Sequence, residues 1–301
     1  MMDKDYFATL HERNIATERM TGLLSILPRV PAVKYDDSFC RVVRQSACVE
    51  IDRIMKQVNQ GDYDDLARMA SIVGCEFKPE ELITLGRTLK IAVAYEMVAC
   101  SGVMGYKLAS MLWTGNPANN TESGHYREFR GFELQTGHVL SVTVEDIDAT
   151  LKRELADREP IDGGEFIIAV HPSLAYSLWN EFITGYVADG REYRVICDPC
   201  IPVQFNGDSA ESSLYVIPLS PEGEEHPVTY IEFFDYRGMP VLLPGSDSDL
   251  FWTDSGFYTW QVDREKWDIQ LFIRNDSRLV LKERATRLKV TYPAPANTHW
   301  F

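Results

Sequence analysis

The feature that most constrains the fold of this chain is a long apolar stripe that ends abruptly in turn-forming residues. The KPEEL segment at Lys78–Leu82 predicts a helix start, because proline and acidic residues are favoured in the first helical turn. Apolar side chains then recur at steps of three and four residues: Leu82, Leu85, Leu89, Val93, Met97, Cys100, Met104, Leu108 and Met111. This spacing predicts an apolar face along about 33 residues, or roughly 50 Å of unbroken helix. The GNPANN stretch at Gly115–Asn120 must then stop the helix and redirect the chain.

The remaining periodicities predict an α+β fold. Residues 1–27 are expected to form an amphipathic arm that has too little apolar surface to fold alone, and that lies on something else, such as a neighbouring subunit. Phe39–Ile54 and Leu66–Phe77 alternate in polarity and predict an extended hairpin with a charged tip. Further helices are predicted at Thr143–Leu155 and His171–Ile183. Strands are predicted at FIIAV (Phe166–Val170), REYRVI, IPVQF, SSLYVIPL, VTYIEFF and most of Phe257–Tyr292.

Composition and charge exclude several classes of protein. The 301 residues are 45% hydrophobic and 25% charged, as in an ordinary globular protein of one large domain or two. The net charge of −15 argues against a classical nucleic-acid-binding protein. Ten acidic residues and one basic residue occur in Gln204–Gly256, whereas Arg278–Phe301 has five basic residues and one acidic. This split fits subunits that meet through opposite faces, and it fits two solvated faces equally well.

The sequence also bears on location and redox state. MMDKDYF lacks the features of a secretory signal, and the apolar run Ile91–Tyr106 is interrupted by Glu96, so a soluble protein made in the cytoplasm is expected. Its cysteines are too sparse for a disulfide scaffold and are expected to be reduced and mostly buried: Cys40, Cys48, Cys75, Cys100, Cys197 and Cys200.

Two short motifs could support thiol or histidine chemistry. Cys197 and Cys200 in CDPC could exchange a disulfide or supply half of a zinc site. The surrounding strand patterns and the lack of a second ligand pair favour a structural role instead. His171 before Pro172 could be a catalytic base, but it is better explained as the end of a strand and the start of a helix.

Three other segments have some features of a ligand-binding site, but none matches the full sequence pattern of such a site. GVMGYK (Gly102–Lys107) lies inside a helix and does not match a phosphate-binding loop. Asp247, Asp249 and Asp254 could hold a cation loosely, but their spacing is not that of an EF-hand. Aromatic residues near the C-terminus could stack bases, yet no basic groove accompanies them: Phe251, Trp252, Phe257, Tyr258, Trp260 and Trp267. We therefore expect no catalytic, cofactor-binding or metal-binding residues and no cofactor.

The order of several motifs resembles that of tailed-bacteriophage (Caudoviricetes) major capsid proteins. In that family a long spine helix ends in a glycine-containing turn, which is followed by a short loop and a second glycine. Here the apolar helix is followed by LWTGNP, a Gly/Asn-rich loop and FRGFEL. Downstream, FIIAVHPSLAYSLW, SSLYVIPL, PVTYIEFFDY, LFWTDSGFYTW and WDIQLFIRNDSRLVLKERATRLKV resemble later elements of the same family. The likeness covers about residues 80–292.

The resemblance implies the Hong Kong ninety-seven capsid fold, which encapsulin shells share. Its parts would be an N-terminal arm at 1–37, an extended hairpin loop at 38–78, a peripheral domain with the spine helix at 79–141, an axial domain at 142–250, and return strands to the peripheral domain at 251–301. The implied function is a non-catalytic shell subunit that self-assembles into hexamers and pentamers of an icosahedral virion capsid around double-stranded DNA. The implied place of assembly is the host bacterial cytoplasm.

The resemblance also implies partners and leaves rivals open. No fused scaffold segment is evident, so a separate scaffolding protein, a portal protein and a possible decoration protein are expected, with non-specific contacts to packaged DNA and none to membrane. The trio of residues that cross-links some relatives does not map onto this chain, which predicts non-covalent assembly. One rival is an encapsulin-type nanocompartment, and another is a cytosolic thiol-redox or metal enzyme that uses Cys197 and Cys200.

Overall fold

The computed structural model describes residues 22–45, 49–50, 103–121, 126–156, 158, 164–179, 184–221, 223–225, 227–234, 250–251, 259–265 and 268–294. Within these residues the chain is mostly extended, with short helices, and the predicted α+β class is confirmed. Residues 103–114 form helix α1. The other α-helices are α2 (Phe132–Gln135), α3 (Ile147–Ala156) and α4 (Pro172–Trp179). Short 3-10 helices occur at Gly22–Ser25 and Pro117–Asn119.

Fifteen strands are defined in the described part of the chain. They are β1 (Arg29–Pro31), β2 (Val42–Gln45), β3 (Val49–Glu50), β4 (His138–Thr143), β5 (Glu165–Val170), β6 (Gly185–Ala188), β7 (Arg191–Cys197), β8 (Val203–Asn206), β9 (Ser209–Leu219), β10 (Thr229–Phe233), β11 (Leu250–Phe251), β12 (Thr259–Glu265), β13 (Asp268–Asn275), β14 (Ser277–Leu281) and β15 (Thr286–Pro293).

The strands form three sheets. The largest has the order β4-β15-β9-β5-β7-β6, with β8 also paired to β9. Its β15–β4 and β5–β7 pairs are parallel and its other pairs are antiparallel. A second sheet has the order β11-β12-β13-β2, with β3 on β13, and a third has the order β1-β10-β14.

Both faces of the large sheet are covered, which explains why its central strands are continuous apolar runs. On β5, Ile167 and Ala169 face a core that contains α1 residues, whereas Phe166, Ile168 and Val170 face a second core against α3 and α4. The long strand β9 alternates in the same way along its length. The large sheet therefore separates two hydrophobic cores.

The start of the described chain lies on the chain's own body. Leu23, Leu24 and Leu27 are at most 4% exposed and belong to the core that surrounds α1. Strand β1 follows and pairs in parallel with β10. This part of the expected arm therefore packs on its own subunit.

Most predicted elements appear, with three differences. Helix α3 begins at Ile147 rather than Thr143, because Thr143 ends β4 and a turn closes between Thr143 and Asp146 first. Strand β15 was expected in the peripheral domain, but it lies between β4 and β9 in the large sheet. Two hairpins were not predicted: Asp189 and Gly190, with φ of 49° and 78°, connect β6 to β7, and Gly207, with φ of 62°, connects β8 to β9.

Several predictions fall outside the described residues. These are residues 1–21, most of the hairpin at 38–78, the helix before residue 103, the acidic loop with Asp247, Asp249 and Asp254, and the side chains of the C-terminal aromatic group. No helix in the described ranges is long and apolar enough to cross a membrane.

Candidate functional site

The CDPC motif forms a turn after β7 in which the carboxylate, rather than the thiols, makes the main contacts. Both cysteines are free, with Cys200 only 9% exposed and Cys197 half-buried. Burial raises the pKa of Cys197, and burial together with the nearby Asp198 raises the pKa of Cys200 to about 12. Because the thiolate is the reactive form, these surroundings disfavour both disulfide exchange and metal ligation. The structure therefore agrees with the structural interpretation of this motif.

Asp198 is the residue of this motif that sequence reasoning missed. Its side chain is fully buried and accepts hydrogen bonds from the backbone N–H of Cys200 at 2.8 Å and of Leu23 at 3.0 Å. Burial raises its pKa, although these N–H groups favour the charged form. A buried carboxylate of this kind ties the start of the described chain to the turn after β7.

His171 has a capping role. It lies between β5 and α4, and its Nδ1 accepts a hydrogen bond from the Ser173 N–H at 3.1 Å. Because Nδ1 is then unprotonated, the Ser173 hydroxyl must donate to it at 2.7 Å and accept from the Tyr292 hydroxyl at 2.6 Å. Burial lowers the pKa of His171 to about 4. The histidine thus ends the strand and begins the helix, as the sequence predicted.

The turn at the end of α1 is built from two glycines in direct backbone contact. A Cβ on Gly131 would stand 2.7 Å from Gly115 N and 2.7 Å from Met111 O, and a Cβ on Gly115 would stand 2.5 Å from Phe129 O. The Gly131 N–H donates to Gly115 O at 2.8 Å, and the Gly115 N–H donates to Met111 O at 2.8 Å. No larger residue fits at either position without moving backbone. These glycines bring the returning chain onto the end of the helix.

The loop between these glycines is organised by Glu128, which the sequence analysis did not identify. Its carboxylate, 8% exposed, accepts hydrogen bonds from the Asn116 N–H at 2.8 Å, the Asn119 side chain at 3.0 Å and the Tyr126 hydroxyl at 2.5 Å. Lys107 of α1 lies 3.3 Å away. Burial alone would raise the pKa of Glu128, but these donors outweigh it and the pKa is lowered. The turn formers of this loop therefore bind its own carboxylate.

A second polar cluster fastens the segment before β2 to the strands near the C-terminus. The Tyr35 hydroxyl donates to Asp276 at 3.1 Å and accepts from Arg41 at 3.0 Å and from Arg127. Asp276 is almost fully buried and also pairs with Arg274 at 2.5 Å. Burying this carboxylate is tolerated because basic and hydroxyl groups surround it.

The charge split along the sequence is partly neutralised within the subunit. Arg278 pairs with Glu232 at 2.5 Å and with Asp36 at 3.1 Å, and Arg287 pairs with Glu133. These basic residues of the C-terminal segment therefore do not form a free cationic face.

A groove of about 590 Å³ between β4 and α3 is lined by Ser141, Val142, Thr143, Asp146, Ala149, Thr150, Arg153 and Thr291. No cysteine or histidine lines it, and the described residues contain no cluster of three or more metal-ligating side chains.

Three strands of the large sheet, β4, β6 and β8, have a single partner strand among the described residues. Strand β4 reads HVLSVT and β6 reads GYVA, and neither contains a proline or a permanently charged residue. Val139 on β4 is 44% exposed and Val187 on β6 is 65% exposed. Edge strands of monomeric proteins are usually protected by charges or proline, and β4 and β6 have neither.

Comparison with solved structures finds similar chains among shell proteins. The chain is similar to one in the holo-SrpI encapsulin complex of Synechococcus elongatus, with 12% identity, 93% of this chain and 89% of that chain covered, and a TM-score of 0.43. It is similar to a virus-like particle of Pyrococcus furiosus, with 10% identity, 94% and 98% coverage and a TM-score of 0.44. It is also similar to a chain of the satellite phage P4 procapsid, with 9% identity, 94% and 98% coverage and a TM-score of 0.42.

No protein-family model matches the chain, and no curated protein matches it either. Two of these structures are an encapsulin complex and a phage procapsid. At these identities the likeness concerns the arrangement of the chain and assigns no activity or partner.

Proposed function

We propose that this chain is a non-catalytic major capsid protein that self-assembles into the icosahedral shell of a tailed phage. The observation that carries the proposal is the contact between Gly115 and Gly131. The sequence resemblance predicts a helix that ends in a glycine turn, then a short loop and a second glycine, and it gives no reason in itself for the two glycines to touch. In the structure Gly115 ends α1, a loop follows, and Gly131 returns to the helix end, in the order that the resemblance predicts.

The unprotected edges of the large sheet support assembly. A soluble monomer with two such edges would risk uncontrolled strand pairing, whereas a shell subunit can cover them with copies of itself. Exposed Val139 and Val187 would lie at these subunit contacts. The expected contacts are heterologous, as in closed rings of five or six subunits.

The acid-rich composition supports a container rather than a nucleic-acid reader. With a net charge of −15, the shell would touch packaged DNA only weakly and non-specifically, which keeps the genome releasable. The raised pKa values of Cys197 and Cys200 argue against the rival thiol enzyme.

The domain boundaries belong to this proposal, with one revision. The arm (1–37), hairpin loop (38–78), spine-helix region (79–141) and axial domain (142–250) keep their predicted bounds. The last segment (251–301) is divided, because β15 joins the sheet of β5, β7 and β9 and only the preceding strands would return to the peripheral domain. A separate scaffolding protein, a portal and a decoration protein remain expected partners, and assembly in the host cytoplasm remains the expected location.

The proposal is tested by expressing the chain alone and with the genes that neighbour its own, followed by negative-stain microscopy. Closed shells, and a portal gene among the neighbours, are expected. Shells that enclose a protein cargo, with an enzyme gene as neighbour, would replace the phage assignment by a nanocompartment. Denaturing electrophoresis should give a single 34.3 kDa band, since non-covalent assembly is expected. A ladder of heavier bands would contradict that part.

A further inference from the structure

We propose that Asp198 and Gly22 form a clasp that fixes residues 22–27 against the body of the subunit. The clasp joins the CDPC turn, to which the proposed function assigns no role, to Gly22. The clasp concerns contacts within one subunit, so it can be tested independently of shell assembly.

The geometry of Asp198 uses both of its carboxylate oxygens. Oδ1 accepts from the Cys200 N–H at 2.8 Å and closes the CDPC turn, while Oδ2 accepts from the Leu23 N–H at 3.0 Å. The backbone of Asp198 is itself held by β5, since its N–H donates to Val170 O at 2.9 Å. One carboxylate therefore connects the large sheet to a residue 175 positions earlier in the sequence.

Gly22 complements this carboxylate in two ways. Its φ of +71° lies in the left-handed region, which side chains disfavour. A Cβ at this position would also stand 2.2 Å from Asp198 Oδ2 and 2.3 Å from Asp198 Cγ. Only glycine lets the chain turn directly against the carboxylate and present the next N–H to it.

The surroundings show why a fixed junction matters here. Leu23, Leu24 and Leu27 follow the clasp immediately and enter the core around α1. The hydrogen bond to Leu23 sets the direction in which these leucines enter the core. A carboxylate that is fully buried is tolerated only where polar groups surround it, and here the N–H groups of Leu23 and Cys200 and the side chains of Trp113 and Cys200 do so.

The first test is hydrogen exchange on Asp198→Asn, with the exposed Asp208→Asn as the matched control. Asparagine keeps the size of the side chain but offers one acceptor oxygen instead of two. We expect exchange in a peptide covering residues 22–27 to become about tenfold faster or more, because a hydrogen bond to a charged group is lost. A peptide from β5 should keep its protection in both variants. Unchanged exchange at residues 22–27 would overturn the clasp.

The second test separates the carboxylate contact from backbone strain, and it decides the matter if Asp198→Asn fails to fold. Gly22→Ala is compared with Gly190→Ala, whose φ of +78° is similar but whose added Cβ would meet nothing within 4 Å. We expect the fall in Tm for Gly22→Ala to be at least twice that for Gly190→Ala, and the excess to shrink in an Asp198→Ala background. Equal falls in Tm for the two glycine variants would contradict the proposal.

Discussion

Replacing Gly131 by alanine tests whether the backbone contact at the end of α1 is a structural requirement. The added Cβ would stand 2.7 Å from Gly115 N, 2.7 Å from Met111 O and 2.8 Å from Trp113 O, all of them backbone atoms. Ordinary contact requires the loop and the helix end to separate by roughly 0.7 Å. That movement would stretch the 2.8 Å hydrogen bond from Gly131 to Gly115 beyond its useful range.

The expected loss of stability follows from these two effects. Overpacking costs about 1–3 kcal/mol, and the hydrogen bond adds about 1 kcal/mol. We therefore expect Gly131→Ala to lower the free energy of unfolding by about 2–4 kcal/mol, which for a chain of 301 residues lowers Tm by roughly 3–6 °C.

Two other glycines provide matched controls in thermal unfolding followed by circular dichroism. A Cβ on Gly137 or Gly105 would meet nothing within 4 Å. Gly137→Ala should be nearly neutral, and Gly105→Ala, inside α1, should raise stability by up to about 1 kcal/mol. If Gly131→Ala is as stable as Gly137→Ala at equal protein concentration, the reasoning about the crossing is refuted.

Three further predictions concern the polar groups. Glu128→Gln should lower the free energy of unfolding by about 3 kcal/mol in urea denaturation, because three donors and Lys107 lose a charged acceptor. The exposed control Glu145→Gln should change this free energy little, and equal effects of the two variants would contradict the prediction. The pKa of His171 is about 4 in the folded chain and 6.5 ordinarily, so its contribution to stability is complete above pH 6.5 and is lost as the pH falls towards 4, by about 3 kcal/mol in all. His171→Asn should remove that part of the pH dependence of the free energy of unfolding. An unchanged pH profile would refute this prediction. The difference in thiol-labelling rate between the native chain and Cys200→Ser should be negligible at pH 7 and rise only in strong alkali; an inflection near pH 7 would revive thiol chemistry.

The secondary structure could be predicted where one physical signal dominated. FIIAV and SSLYVIPL are continuous apolar runs because β5 and β9 are covered on both faces, and their lengths suit strands. The glycine turn after α1 could be predicted because turn formers follow an apolar helical stripe. Asp189-Gly190 is a recognised hairpin signal and could have been found from the sequence.

The tertiary contacts could not be predicted in the same way. Asp198 and Leu23 are 175 positions apart, and nothing in CDPC indicates that its carboxylate rather than its thiols would be buried. Glu128 lies in a polar stretch where a solvated side chain is the usual outcome. The position of β15 depends on which strand edges remain free after the other strands have paired, which no local pattern encodes.

Sedimentation velocity over a wide range of protein concentration tests the central claim most directly. The account predicts closed particles of many subunits, formed without covalent links, in equilibrium with few free chains. A folded 34.3 kDa monomer that persists at the highest concentration, with its edge strands β4 and β6 exposed, would contradict it.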